Sequence, residues 1–217
     1  METKQIIETL KQAKKEAKKR NFVQKVDMVI NLKDLDLKKN ENHVDFFAQL
    51  HFSVGKKMKV CALCGPELLE EAKKVCDEAI PQTDFPKYAA DKAAAKKLAE
   101  SYDFFIAQAN IMPQVAQTFG KVFGPRAKMP NPKAGCVVPP KATLGPLYEK
   151  LQNTVRIMAK KDPVIHLLTG NEDMKEEEVA DNIKTIYNQL IHHLPGETNN
   201  VKEIFVKLSM GKPVKLN

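Results

Sequence analysis

The spacing of apolar positions changes several times along the chain, and each change predicts an element. From Thr3 to Lys18, the residues Ile6, Leu10, Ala13 and Ala17 recur at helical intervals among lysines, the pattern of an amphipathic helix laid on a core. From Phe22 to Leu32 the period becomes two. Phe22, Val26, Met28, Ile30 and Leu32 share one face and Lys25, Asp27 and Asn31 the other, which predicts a half-buried strand. A polar turn, Lys38-Lys39-Asn40-Glu41-Asn42, leads to a second alternating run with Val44, Phe46, Ala48, Leu50 and Phe52 on one face. One helix over two strands cannot close a core, so this module must be completed from elsewhere in the chain.

The style changes after Gly55-Lys56-Lys57. Val60 to Cys64 is a short continuous apolar run, bounded by Gly65-Pro66 and followed by a helical segment to about Cys76. A helix rich in Ala and Lys is expected from about Lys87 to Glu100, a buried strand at Phe104 to Ala107, and another helix from Ile111 to Phe119. Strands alternating with helices imply a parallel sheet. From Gly124 to Gly145 the chain carries five of its 13 prolines, too many for regular elements, so this stretch reads as a long structured loop, closed by a short helix near Leu147 to Leu151.

After Thr154 the opening style returns. Val155 to Met158 and Val164 to Leu168 read as strands joined by the turn Lys160-Lys161-Asp162-Pro163. Asp173, three residues before Glu176, resembles the start of a capping box for a helix carrying Val179, Ile183, Ile186, Leu190 and Leu194. Val201 to Leu208 is a last strand. The economical fold class is α/β in two domains: a split α+β domain from residues 1–58 and 154–217, and a Rossmann-like α/β domain inserted as residues 59–153. Only two chain crossings, near Lys57 and Thr154, would join them, an arrangement that permits hinge bending.

Charge adds a direction. The net +8 comes from 35 Lys and Arg against 27 Asp and Glu, with residues 1–58 contributing +5 and the last eleven residues holding Lys207, Lys212 and Lys215 but no acid. Both chain ends are basic, which suits a polyanion. No run approaches the length of a membrane-spanning helix, and no leader-like apolar stretch opens the chain, so no membrane partner is expected.

Candidate catalytic chemistry is thin. Cys61-x-x-Cys64 stands without a second pair or matching histidines, and three extended residues separate its Cα atoms by about 10 Å, so the cysteines, with Cys76 and Cys136, read as core residues. His192 and His193 are adjacent on a helix and cannot chelate one ion; His43, His51 and His166 have no ligand set around them, although His166 could reach a surface ligand. Neither glycine-rich phosphate loop is present, so the inserted layer lacks a nucleotide cradle. No catalytic residue, cofactor or metal is assigned. The stretch from Gly124 to Gly135, with Arg126, Lys128 and Lys133, is either a cationic binding loop or a rigid connection. At 6% aromatic residues and no Trp, a stacking platform for single strands is disfavoured; basic ends beside polar residues such as Asn21, Gln24, Lys25 and Ser209 favour shape recognition of folded RNA.

Several of these segments carry a resemblance. Phe104-Phe105-Ile106-Ala107, the loop from Gly124-Pro125-Arg126 through Met129-Pro130-Asn131-Pro132-Lys133, Gly170-Asn171-Glu172 ahead of Asp181-Asn182-Ile183, and the terminal Ser209-Met210-Gly211 resemble the large-subunit ribosomal protein L-one family in its archaeal or eukaryotic-like form. The resemblance covers essentially the whole chain. It implies a noncatalytic cytoplasmic protein of the ribosome, monomeric when free, that binds large-subunit rRNA at the mobile stalk. It also implies that the protein assists release of deacylated tRNA from the exit site and represses translation by binding its own mRNA. Carried onto this sequence, it points to Phe22, Lys160, Lys161, Ser209, Met210 and Gly211 as RNA-binding residues, to which the reading of the residues themselves adds Gln24, Lys25 and His166. Val23, Gln24 and Lys25 stand where bacterial members have acidic residues and Thr, and Lys212 separates Gly211 from Pro213. The alternative from another class is an enzyme holding a nucleotide or small molecule on the inserted layer.

Overall fold

A computed structural model describes residues 2–39 and 42–216. Asn40 and Glu41 of the expected polar turn lie outside the described residues. The chain divides into two compact units, one made of residues 1–56 and 153–217, the other of residues 57–152.

In the split unit, α1 (Thr3–Glu16) buries Ile6, Thr9, Leu10 and Ala13. β1 (Lys25–Leu32) buries every second residue from Val26, and it lies inside a four-stranded antiparallel sheet in the order β10 (Val214–Leu216), β9 (Val201–Leu208), β1, β8 (Val164–Asn171). A register shift between Val26 and Asp27 leaves Thr169 of β8 without a facing partner on β1. Its hydroxyl donates to the Val26 carbonyl at 3.0 Å, which satisfies a buried polar group inside the bulge. α7 (Glu176–His193) and α1 pack against each other and against this sheet. Glu176, Glu177 and Glu178 occupy the first turn of α7 and Lys14 and Lys15 the last turn of α1, each of the sign that suits the helix dipole. A Lys14–Glu176 ion pair of 3.2 Å joins the two helices.

A second ribbon pairs β2 (Val44–Gln49) with β7 (Thr154–Ala159), antiparallel from Val44↔Ala159 to Gln49↔Thr154. Phe46 of this ribbon stacks flat on His193 with ring centroids 3.8 Å apart. Beyond β2, the segment 51–55 is fastened by the motif residues of the other chain end. His51 Nδ1 lies 2.7 Å from Asp181 Oδ2, the Phe52 amide donates to Asn182 Oδ1 at 3.3 Å, and buried Asn182 donates in turn to the Thr169 carbonyl at 3.0 Å. Gly55 turns the chain at φ +73°, and a Cβ there would run into the Asn171 carboxamide, so only glycine fits.

The inserted unit is a parallel sheet in the order β4 (Glu78–Pro81), β3 (Val60–Cys64), β5 (Phe104–Gln108), β6 (Val137–Val138). β3 is buried along its whole length, as a central parallel strand must be. Its helices are α2 (Leu69–Val75), α3 (Phe85–Ala90), α4 (Lys92–Ser101), α5 (Met112–Phe123) and α6 (Gly145–Gln152). An aromatic cluster fills the side of α3 to α5. Phe119 and Phe123 stack at 4.9 Å, Phe105 lies 4.2 Å from Phe123, and Phe85 meets Phe119 edge-on at 5.5 Å.

Several expected elements differ. Phe22 does not join β1, because the chain bends at Asn21 and Phe22, and its ring stands exposed. Phe52 likewise lies past the end of β2 and is exposed. The single Ala- and Lys-rich helix is two, broken where Asp91 leaves helical geometry and accepts from the amides of Ala93 and Ala94 as the cap of α4. Asp173 does not cap α7; Lys175 is the N-cap residue and makes no side-chain cap bond. The short strands β4, β6 and β10 were too brief to register in the alternation.

The aromatic cluster generates a stability prediction. Phe119 is fully buried at its centre, so Phe119→Ala should lower stability by about 3–5 kcal/mol, the range for removing a buried aromatic ring. Denaturant unfolding of the two proteins measures it, and a change below 1 kcal/mol would contradict this packing.

Candidate nucleic-acid interface

Six of the nine residues singled out from sequence come together at one end of the split sheet. Leu208 pairs with Val26, and just beyond that pair the Ser209 amide donates to the Lys25 carbonyl at 3.0 Å. The Ser209 hydroxyl accepts from the Lys25 amide at 3.1 Å and lies 3.4 Å from the Lys25 carbonyl. The Gly211 amide donates back to the Leu208 carbonyl at 2.8 Å, closing the Ser-Met-Gly turn. Met210 is 60% exposed, Phe22 53% and Val23 50%, three large apolar side chains presented to solvent by short segments tied to one another. A Cβ at Gly211 would meet nothing closer than Leu208 Cβ at 3.4 Å and Ala17 Cβ at 3.5 Å, so the protein itself does not require glycine there.

Gln24 differs from the surface contact expected of it. Its side chain is only 2% exposed. Its amide nitrogen donates to the Lys18 carbonyl and to Glu172 Oε2, and its amide oxygen accepts from the Met210 amide, all at 3.3 Å. A small recess of about 290 Å³ beside it is lined by Lys14, Ala17, Lys19, Glu172, Asp173 and Leu208. The cations Lys18, Lys19 and Arg20 follow α1 and lead into Phe22, and the Gln24 side chain ties the Lys18 carbonyl to this end of the sheet.

Lys160 and Lys161 lie elsewhere. They sit in the β7–β8 turn, whose Pro163 carbonyl accepts from Leu32 at 2.7 Å, so they mark the opposite end of β1 from Lys25. At about 3.3 Å per residue, the length of β1 separates the two places by about 20 Å. Lys160 is ion-paired with Asp45 at 2.7 Å, while Arg156 grips the same carboxylate with two bonds of 2.9 and 2.8 Å and lies over the Phe47 ring. His166 falls between the two ends, exposed on the open face of β8 opposite Val29. On that face Asp27 is surrounded by Lys207, Lys25 and His166. Burial raises its carboxyl above the ordinary range in spite of the two lysines.

The remaining candidates resolve inside the inserted unit. Arg126 pairs with Glu100 at 3.2 Å, and the Lys128 ammonium donates to the carbonyls of Ala99 and Tyr102 at 2.7 and 2.6 Å, so two cations of the proline loop are engaged at the end of α4. The four cysteines are buried and free, and burial pushes the Cys76 and Cys136 thiols up to about 11, well away from thiolate reactivity. At the carboxyl ends of β3 and β5, where a doubly wound sheet would take a nucleotide, the buried Gln108 side chain accepts from the Gly65 amide at 2.8 Å. A cavity of about 850 Å³ nearby is lined by residues such as Pro66, Leu69, Pro81, Gln82, Phe85 and Gln114, with no charged side chain to meet a phosphate.

Comparison with known proteins places this architecture. Residues 12–212 match the model of the Ribosomal protein L1p/L10e family. The chain belongs to this family. It is 40% identical over 215 residues to the Large ribosomal subunit protein uL1 of Methanobrevibacter smithii, covering 99% of both chains. It is also 41% identical over 212 residues to the proteins of that name from Pyrococcus abyssi, covering 97% of this chain and 94% of the relative, and Thermococcus kodakarensis, covering 97% and 96%. The L1p/L10e family is one of ribosomal proteins and not of enzymes.

The Asp45 cluster gives a pH prediction. Burial alone would raise this carboxyl, but the hydrogen bonds from Arg156 and Lys160 outweigh it and hold the group at about 2, below its ordinary 3.8. A depressed carboxyl contributes stability that is whole above the unfolded value and is lost as pH falls through the folded one. Thermal unfolding from pH 5 to pH 2 should therefore show a smaller acid loss in Asp45→Asn than in the unaltered protein; identical slopes would show that the cluster carries none of the acid sensitivity.

Proposed function

We propose that this protein binds large-subunit rRNA at the mobile stalk through the split unit, assists release of deacylated tRNA near the exit site, and represses translation by binding a similar fold in its own mRNA. The observation that carries the reading is the assembly of Phe22, Val23, Lys25, Ser209, Met210 and Gly211, with the Lys18–Arg20 run, at one end of the split sheet. The family and the name shared by its relatives support the ribosomal role. Cations there attract phosphate without regard to sequence, while the Ser209 hydroxyl and the half-buried turn at Gly211, which carries no side chain, can meet 2′-hydroxyls and RNA backbone in a defined geometry. Met210 and Phe22 add adaptable and flat apolar contact. His166 and the open face between β9 and β8 extend this surface, and Lys161 supplies a separate, more distant charge.

Two outcomes test it. Ser209→Val or Gly211→Ala should weaken binding to the stalk rRNA segment by about 1–3 kcal/mol with little change in salt slope, because each alters a geometric contact. Lys25→Ala and Lys161→Ala should instead lower affinity for stalk RNA and for an unrelated hairpin alike and flatten the salt dependence. Equilibrium binding at several salt concentrations separates them, and equal, salt-dependent losses from the Gly211 and Lys161 changes would remove the Ser-Met-Gly turn from the interface.

The split unit should also act alone. A shortened chain in which a brief linker joins residue 56 to residue 153 is expected to fold and to keep most of the affinity for stalk RNA, since every contact residue above lies within it. Circular dichroism followed by RNA titration checks this, and a folded chain that fails to bind would place recognition in the inserted unit.

A further inference from the structure

We propose that Gln24 is a positioning residue that builds the RNA-facing surface without touching RNA, an inference that rests on the reading of the Ser-Met-Gly end as the binding surface. A primary amide offers two donors and an acceptor. Gln24 uses all three on different parts of the chain: the Lys18 carbonyl just past α1, the Glu172 carboxylate in the turn after β8, and the Met210 amide in the turn after β9. Those partners lie 6, 148 and 186 residues away in sequence. The backbone of the same residue takes part, because the Glu172 amide donates to the Gln24 carbonyl at 2.9 Å.

The position makes this choice of residue informative. Gln24 continues the parity of Val26, Met28, Ile30 and Leu32, the inward face of β1, where an apolar side chain would be buried at no polar cost. An amide there must have its hydrogen bonds met, and in meeting them it sets where three surface segments stand relative to one another. The consequence for recognition is direct: Lys18–Arg20 supply cations, Met210 and its neighbours supply shape, and Gln24 fixes the spacing between them. The charged groups around it are Glu172 and Asp173 from the turn after β8 and Lys14 and Lys19 from and after α1.

The test uses the full chain, the stalk rRNA segment and an unrelated hairpin. Gln24→Leu keeps the burial and removes all three bonds. It should lose about ten- to a hundredfold in affinity for stalk RNA, leave hairpin binding unchanged, and speed hydrogen exchange at the Met210 amide. Gln24→Glu keeps the acceptor for Met210 but sets a carboxylate against Glu172. Its affinity, taken relative to the unaltered protein at each pH, should rise from pH 8 toward pH 5 as protonation restores a donor. Adding Glu172→Gln supplies a donor from the other side, so the double variant, which remakes the bonds to residue 172 and Met210 but not the one to the Lys18 carbonyl, should recover part of the affinity and lose that pH dependence. Unaltered binding and unaltered Met210 exchange in Gln24→Leu would overturn the proposal, as would equal losses for both RNAs. Should Gln24→Leu fail to fold, the folded double variant decides: recovery supports positioning, and no recovery overturns it. The underlying reading has its own control, since Ser209→Val and Met210→Ala that bind stalk RNA like the unaltered protein show that the surface itself, and not the role of Gln24, was misassigned.

Discussion

The pairing of β1 with strands from the far end of the chain is the constraint on which the split unit rests. β1 lies between β8 and β9, in antiparallel register with both, so its backbone donors and acceptors on either side are met by residues from 163 onward. Until those strands arrive, the alternating apolar face of β1 has a helix above it and open edges beside it, and neither chain end can bury enough surface alone. The same pairing explains how a unit of nearly a hundred residues can be inserted without disrupting the first. β2 and β7 run antiparallel to Gln49↔Thr154, and Leu50 donates to the Asn153 carbonyl at 2.8 Å, so the chain leaves and re-enters at adjacent points. Closing an insertion whose ends already meet adds little entropy cost as its length grows.

The net charge of +8 suggests a broadly basic surface, but several cations are tied to partners within the fold. Lys14 holds Glu176, Lys160 shares Asp45 with Arg156, and Arg126 and Lys128 bind the end of α4. The basic run after α1 gains importance by contrast, because the Gln24 network sets it beside an exposed apolar cluster. On the proposed reading, a surface of cations around Phe22, Val23 and Met210 differs from a uniform basic patch in the way that matters for recognition: charges draw RNA in, and shaped apolar contacts discriminate.

The inserted unit shows how far a fold can be from the chemistry it often hosts. Its strand order places a switch point between β3 and β5, the usual seat of a phosphate; there the buried Gln108 side chain accepts from the Gly65 amide, and the neighbouring cavity is lined by residues such as prolines, glutamines and threonines. Its interior is held by aromatic packing among Phe85, Phe105, Phe119 and Phe123.

Periodicity in the sequence determined α1, β1, the central strands of the inserted sheet, α7 and β9, because each is long or apolar enough for one face to repeat. It also implied the return of the opening architecture after Thr154. The alternation even carried the inward direction of Gln24, in phase with Val26 and Met28; the same parity misled at Phe22, where the chain bends out of the strand. The family motifs pointed to the Ser-Met-Gly turn. Only the tertiary structure decided that Ser209 lies against Lys25, that Lys160 and Lys161 stand at the other end of the sheet, and that Asp181 and Asn182 fasten the segment after β2. Short strands such as β4, β6 and β10 were equally beyond a local reading. In each case the deciding partner is more than a hundred residues away or the element is only two to four residues long, and local pattern carries no record of which distant segment will supply a hydrogen bond.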